Sequence, residues 1–223
     1  DLFGAAQEFL GGGATEVVEK ETPNVPLPGA GPDAPVGFDN TSRELPILYY
    51  PHPALRRKNA LVEEFDGRLK QLADNLFETM YATGDGIGLA APQVGINLRV
   101  MVYNPNAKES RHSHDETVFV NPRIVEVSGE TDVKEEGCLS FPRMRGPVRR
   151  PVSVLVEAFD WDGCPFRRRI RGFEARLFQH EYDHLEGMVY IDRLPDNSLC
   201  AVSPELNFLI KDFETRLGME PAL

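Results

Sequence analysis

Residues 179–187 read QHEYDHLEG: two histidines four apart, with a glutamate directly after the first. On an α-helix, residues four apart lie about one turn apart on the same face, so His180 and His184 can reach one ion together. Glu181 projects to the neighbouring edge of that face, where it can act as base for a metal-bound water without ligating. The alternative is a solvent-facing amphipathic helix with two incidental histidines. Only five histidines occur in 223 residues, and Phe173, Leu177 and Leu185 on the same segment point to a buried helix, whose imidazoles need partners. A metal is one such partner, and the segment reads as the central helix of the fold.

Working outward, helical spacing over 173–186 is preceded by a hairpin. VSVLVEAF (152–159) is rich in β-branched residues, DWDGCPF (160–166) is a turn, and FRRRIR (166–171) returns. LRVMVYN (98–104) and TVFVNPRIVEV (117–127) are two further strands. Leu69, Leu72, Ala73, Leu76, Phe77 and Met80 form one apolar stripe on a helix from about Asp66 to Thr83, with Asp66 as N-cap and Gly84-Asp85-Gly86 as its stop. A last helix is expected from about Pro204 to Leu217, capped by Ser203, with Leu206, Leu209, Ile210, Phe213 and Leu217 on its buried face. Strands grouped in the middle and helices at both ends predict an α+β fold. Antiparallel or mixed β-sheets would pack around the central HExxH helix, with N- and C-terminal helices outside.

Residues 1–43 read as a flexible tail, because GGG (11–13) and NVPLPGAGPDAPVG (24–37) cannot supply a core. Residues 44–223 then form a single domain. The formal net charge is −11, which argues against DNA binding through a broad basic field. The charge is uneven: the first 44 residues hold eight acidic and two basic side chains, leaving 27 acidic and 22 basic for the remainder. No apolar run approaches the ~20 residues of a membrane helix. Three widely spaced cysteines, Cys138, Cys164 and Cys200, do not make a disulfide framework and fit a reducing compartment. The start lacks a signal-peptide pattern and is too acidic for a transit peptide, although one could have been removed upstream.

Two histidines do not complete a metal site. A zincin of the longer HExxHxxGxxH kind would carry a third histidine where this chain has Tyr190, so that route is closed. His52, His112, His114 and Cys138 remain as candidates. His112 and His114 lie in the polar stretch NAKESRHSHDET (106–117), which reads as a solvated loop. Cys138 lies in EEGCLSFP (135–142), flanked by acidic residues, Gly and Ser rather than by the apolar run usual for a structural cysteine. Cys164 and Cys200 read as bystanders.

Three stretches, GIGLAAPQVG (86–95), EGCLS (136–140) and QHEYDHLEG (179–187), taken together and in this order, strongly resemble the peptide deformylase family. The resemblance covers about residues 45–195. The SFP after EGCLS and Pro92 before Gln93 are similar to the type I form of many bacteria and of plant and algal organelles. It implies that Cys138, His180 and His184 bind one divalent metal, with water as fourth ligand. Fe(II) is the usual ion of the family, and Zn, Ni or Co can take its place. The implied reaction is hydrolysis of the N-formyl group from the initiator methionine of nascent polypeptides, releasing formate. In it, Glu181 is general base and then acid, and the Gln93 side chain with the Leu139 N–H stabilises the oxyanion.

Glycine permits close approach of a substrate backbone, so Gly88 and Gly137 are expected to contact the peptide. Leu177 and Phe173, one and two turns before His180, are the expected wall of the methionine pocket; core packing accounts equally well for these two. Glu136 and Arg145 are expected to form a buried pair behind the Cys138 loop, and Arg149 and Arg150 to steer the substrate. Asp183 is expected to orient a neighbouring group. The partners implied are N-formyl-methionyl peptides and the ribosome, the latter through Arg167, Arg169 and Arg171 if that run is more than a solvated face. No DNA or membrane partner is expected, and the chain would be a monomer or homodimer. A plastid or mitochondrion is implied for a eukaryotic source and the cytoplasm for a bacterial one. Two rival readings are an HExxH endopeptidase and a non-catalytic binding protein with a structural metal. An intact Glu181 and Gln93 speak against the second.

Overall fold

The computed structural model describes residues 44–109, 115–218 and 221–223. The expected tail of 1–43, and His112 and His114, lie outside the described residues. The first helix, α1 (Gly67–Ala82), forms where the apolar stripe requires it. Asp66 caps it, its side chain accepting from the N–H groups of Arg68 and Leu69 at 2.9 and 3.3 Å. All six stripe residues are buried.

The strands are β1 (Gly88–Ala90), β2 (Val100–Tyr103), β3 (Thr117–Val127), β4 (Thr131–Cys138), β5 (Phe141–Pro151), β6 (Ser153–Phe159) and β7 (Pro165–Arg171). Five make one sheet in the order β1-β2-β3-β6-β7, while β4 and β5 pair only with each other. Every named pair is antiparallel, and among the described residues the one parallel contact is an isolated bridge between Ala60 and Leu98. One core cluster lies between α1 and the five-stranded sheet, gathering Leu72, Leu76 and Met80 with Leu89, Val100 and Val120.

The opposite face of that sheet receives α2 (Gly172–Leu185). Its Ala175, Leu177, Phe178 and Leu185 pack with Phe119, Val154, Val156 and Ile170. Ten of its residues are buried, including both histidines, so the helix is not solvent-facing. The side of α2 turned from the sheet meets the β4–β5 hairpin, where Arg176 Nη1 donates to the Val148 carbonyl (2.9 Å) and Gln179 Nε2 to the Pro151 carbonyl (2.9 Å).

The last helix, α3 (Asp196–Leu217), begins eight residues before its expected start. Pro204, expected in the first turn, stands inside it, and Ser203 is no cap: its Oγ donates to the Leu199 carbonyl at 2.9 Å. Proline lacks only its own N–H, and the turns on either side continue the helix past it. Val202, Leu209 and Phe213 are buried, with Leu206 and Ile210 partly so. The side chain of Leu217 lies outside the described residues. The apolar face of α3 therefore packs on its own core, against Phe141, Met144 and Val189. Among the described residues, no helix is long and apolar enough to cross a membrane.

Candidate metal centre

The α-helical period puts His180 and His184 on one face of α2, their rings edge to face with centroids 5.4 Å apart. Cys138 arrives from the hairpin. The β4–β5 ladder runs in register to Gly137↔Arg145, then slips so that Cys138 faces Phe141. That irregularity ends the strand and brings the thiol to the helix, with Sγ 3.3 Å from His184 Nε2. The Cys138 sulfur and one ring nitrogen of each histidine all lie within 4.8 Å of one another. Sulfur and imidazole ligands at ~2.3 and ~2.1 Å on a tetrahedron would be about 3.6 Å apart, so the cluster is of the size a divalent transition-metal ion needs. A thiolate with two imidazoles suits Fe(II), Zn, Ni or Co rather than Mg or Ca. His52 is occupied elsewhere, accepting from the Ala54 N–H at 3.2 Å and lying edge-on to Phe213. Cys164 and Cys200 are exposed and outside the cluster.

Glu181 is 3% exposed, and its Oε2 has no hydrogen-bond partner among the described residues. Burial pushes its carboxyl up to about 7, with neighbouring charges acting in both directions. A cation at the cluster would draw it down again. Gly88 in β1 passes directly over this carboxylate: a Cβ there would meet Glu181 Oε1 at 2.6 Å and Leu177 Cδ1 at 2.9 Å. Gln93 belongs to a short 3-10 turn, Ala91–Val94. Its Oε1 accepts from the Ala90 N–H (2.8 Å), which turns Nε2 towards Ser140 Oγ (3.3 Å) and Cys138 Sγ (3.6 Å).

A cavity of about 780 Å³ opens over the cluster. Gly88, Gln93, Gly137, Leu139, Phe173 and Leu177 all line it, together with Cys138, His180 and Glu181. Phe173 is 50% exposed, at the mouth, and Leu177 is buried. Tyr190, which stands where the longer zincin pattern has its histidine, lies 6.4 Å from the His180 ring, centroid to centroid.

The support behind the ligands differs from expectation. Glu136 does not pair with Arg145, which is exposed. Its Oε1 accepts from Arg150 Nε (2.7 Å) and Arg176 Nη1 (2.6 Å). Its Oε2 meets Arg150 Nη2 (2.9 Å) and His180 Nδ1 (2.9 Å). Burial alone would raise the Glu136 pKa; the hydrogen bonds from His180 and Arg150 outweigh it and hold the carboxyl well below the usual range. Asp183 accepts from Arg150 Nη1 (2.8 Å) and Arg193 Nη2 (2.7 Å), so it does orient a neighbour. Arg150 is consumed in this buried network and cannot steer a substrate. Strand parity explains the partner: Glu136 faces inward opposite Gly146, and residues 144, 146, 148 and 150 share that inward face while 145 points out. The RRRIR run is largely paired, Arg167 to Glu157 (3.7 Å) and Arg169 to Glu126 within the sheet, and Arg168 to Glu174 in the first turn of α2 (2.5 Å).

Comparison with known proteins gives a consistent result. The family model for polypeptide deformylase matches residues 44–199. A chloroplastic peptide deformylase 1B of Solanum lycopersicum is 46% identical over 175 residues, covering 78% of this chain and 62% of the relative. A peptide deformylase of Rhodopirellula baltica is 38% identical over 174 residues, covering 78% of this chain and 85% of the relative. A crystal structure of a plant peptide deformylase PDF1B superposes with a TM-score of 0.77 at 44% identity, covering 83% of this chain and 98% of that one. This chain spans less than two thirds of the length of the plant relatives it matches, 62–64%.

Proposed function

The chain belongs to the polypeptide deformylase family, and on that premise we propose that it hydrolyses the N-formyl group of the initiator methionine of nascent polypeptides, releasing formate. The observation that carries the reading is a Cys138/His180/His184 cluster, its cysteine half-buried and both histidines buried, with an uncommitted Glu181 oxygen beside it, under a glycine-lined cavity. Cys138, His180 and His184 would hold one divalent ion, Fe(II) foremost, which makes α2 a central metal-binding HExxH helix. When bound, the ion supplies Lewis acidity, polarising a carbonyl oxygen and lowering the pKa of water.

Glu181 takes a proton from the water that attacks the formyl carbon and returns it to the departing amine nitrogen. The Gln93 amide and the Leu139 N–H donate to the formyl oxygen as charge develops on it, each contributing on the order of 2.7–4 kcal/mol. β1 is an edge strand, so Gly88, with Gly137 across the cavity, can receive the peptide backbone as an added strand. Leu177 and Phe173 wall the methionine side chain. In this reading residues 44–223 are one catalytic domain. The compartment would be a plastid or mitochondrion, as named for the plant relatives. The arginine run is read as a paired outer face, which leaves any ribosome contact to other surfaces.

The test is formate release from an N-formyl-Met tripeptide, run anaerobically with Fe(II)-loaded protein beside an N-acetyl control. Release from the formyl peptide alone is expected; casein cleavage, or metal binding without release from either peptide, would overturn the reading. Gly88→Ala gives a second check. The added methyl has no room beside Glu181 and Leu177, and displacement of a reacting group by about 1 Å costs roughly 10²-fold in rate. Formate release should fall by about that factor with metal content unchanged. A near-parental rate would remove the close approach of β1 to Glu181 from the mechanism.

A further inference from the structure

The helix that carries both histidines ends at the second of them. His184 is the penultimate residue of α2, and the carbonyls of a last turn have no partners within their helix. Asn59, on the segment before α1, supplies partners from across the fold. Its Nδ2 donates to the carbonyls of His184 (3.1 Å) and Leu185 (3.3 Å), and its backbone N–H donates to the Leu185 carbonyl (3.1 Å). A further bond from Nδ2 to the Arg57 carbonyl (3.1 Å) ties the amide to its own loop. Arg99 joins the clamp through Nη1, 3.4 Å from the Leu185 carbonyl and 2.7 Å from Glu186 Oε1. A cation there also favours the negative end of the helix dipole. Gly187, at φ 74°, lets the chain turn beneath: a Cβ there would stand 2.6 Å from the Arg56 carbonyl oxygen.

The two imidazoles are restrained differently. His180 has its Nδ1 2.9 Å from Glu136 Oε2, which sets its ring plane. His184 Nδ1 is buried and has no hydrogen-bond partner among the described residues. A ligating histidine is ordinarily oriented through that second nitrogen. Without such a bond, the direction of His184 Nε2 depends on the backbone that carries it, and Asn59 holds that backbone from across the fold, beside the local bond from the Gly187 N–H to the His184 carbonyl (3.2 Å).

We propose that Asn59 is a positioning residue for the metal centre, clamping the last turn of α2 so that His184 Nε2 keeps its place beside the Cys138 thiol. The inference rests on the metal-site reading above. Asn59→Asp keeps the side-chain shape but replaces the donor by an acceptor facing carbonyl oxygens. Asn59→Ser shortens the reach. Asp66→Ala removes the cap of α1, outside the site, and controls for general loosening of the fold. Each full chain is loaded with Co(II), and two quantities are read: the rate of Co(II) loss to excess chelator and the thiolate–Co(II) absorption bands. Loss of an outer residue that orients a ligand costs about 10–100-fold in metal affinity.

Co(II) should leave Asn59→Asp faster by about that factor and Asn59→Ser by several-fold, both with shifted bands, while Asp66→Ala keeps the parental rate and spectrum. Rates within about twofold of the parent in the Asn59 variants, whatever their melting temperatures, would overturn the proposal. If Asn59→Asp does not fold, Asn59→Ser decides alone. A parent chain that shows no thiolate–Co(II) band would overturn the metal reading and this one with it. Tight parental binding that is indifferent to Asn59 would overturn this one only.

Discussion

Glu181→Gln should lower formate release by about 10²–10⁴-fold, the contribution usual for a positioned proton-transfer group, and leave the bound metal in place. Glutamine has the same shape, so the close packing under Gly88 and against Leu177 survives. What it loses is the ability to take a proton. Glu181 lies beside the Cys138/His180/His184 cluster but does not belong to it. Its Oε2 makes no hydrogen bond among the described residues that would explain a buried carboxylate structurally. A buried carboxyl raised to about 7 costs stability wherever it must ionise. Amide replacement should therefore leave the melting temperature unchanged or raised. The measurement is turnover on the formyl tripeptide with metal content and thermal unfolding on the same samples. A variant that kept most of its activity would end the proton-transfer assignment. One that lost its metal would make Glu181 part of the ligand framework instead.

How much of this was legible in the sequence depended on whether a local signal matched the local structure. The α1 stripe and its Asp66 cap obey helix rules residue by residue, β3 and β6 are β-branched runs, and turn residues separate β6 from β7. The β4–β5 hairpin carries no strand signal in the sequence. Lys134, Glu135 and Glu136 are poor strand formers, and Pro142, Pro147 and Pro151 argue against a strand. They are tolerated because each strand pairs on one side only, leaving half of its N–H groups without a ladder partner to lose. Without the hairpin's parity the sequence pairs Glu136 with Arg145 rather than Arg150, and no local signal marks Arg176. The start of α3 was misplaced because Pro204 fits a first turn so well. The three site motifs were legible because the chemistry dictates their residue types; the charged network behind them was hidden because it depends on three-dimensional packing.

That network carries the largest expected effect on stability. Glu136 is buried together with Arg150 and Arg176, with side chains only 4–6% exposed. Removing one partner from such a group leaves uncompensated charge in the interior, at a cost of about 3–5 kcal/mol. Glu136→Gln should therefore depress the melting temperature by roughly 6–20 °C, taking about 2–4 °C per kcal/mol for a chain of this size. The glutamine would turn its NH₂ group towards the guanidinium or imidazole donors that the carboxylate now accepts from. The Arg68–Glu64 pair is the matched comparison: it too is a close contact, but on the exposed surface, with side chains 67% and 74% accessible. Glu64→Gln should leave the melting temperature near the parental value, because solvent already screens both charges. Equal shifts from the two substitutions would mean that burial of the Glu136 group does not matter energetically. A large shift from Glu136→Gln alone, with faster metal loss because His180 Nδ1 loses its carboxylate partner, would make one buried side chain responsible both for holding the hairpin to α2 and for aiming the first histidine.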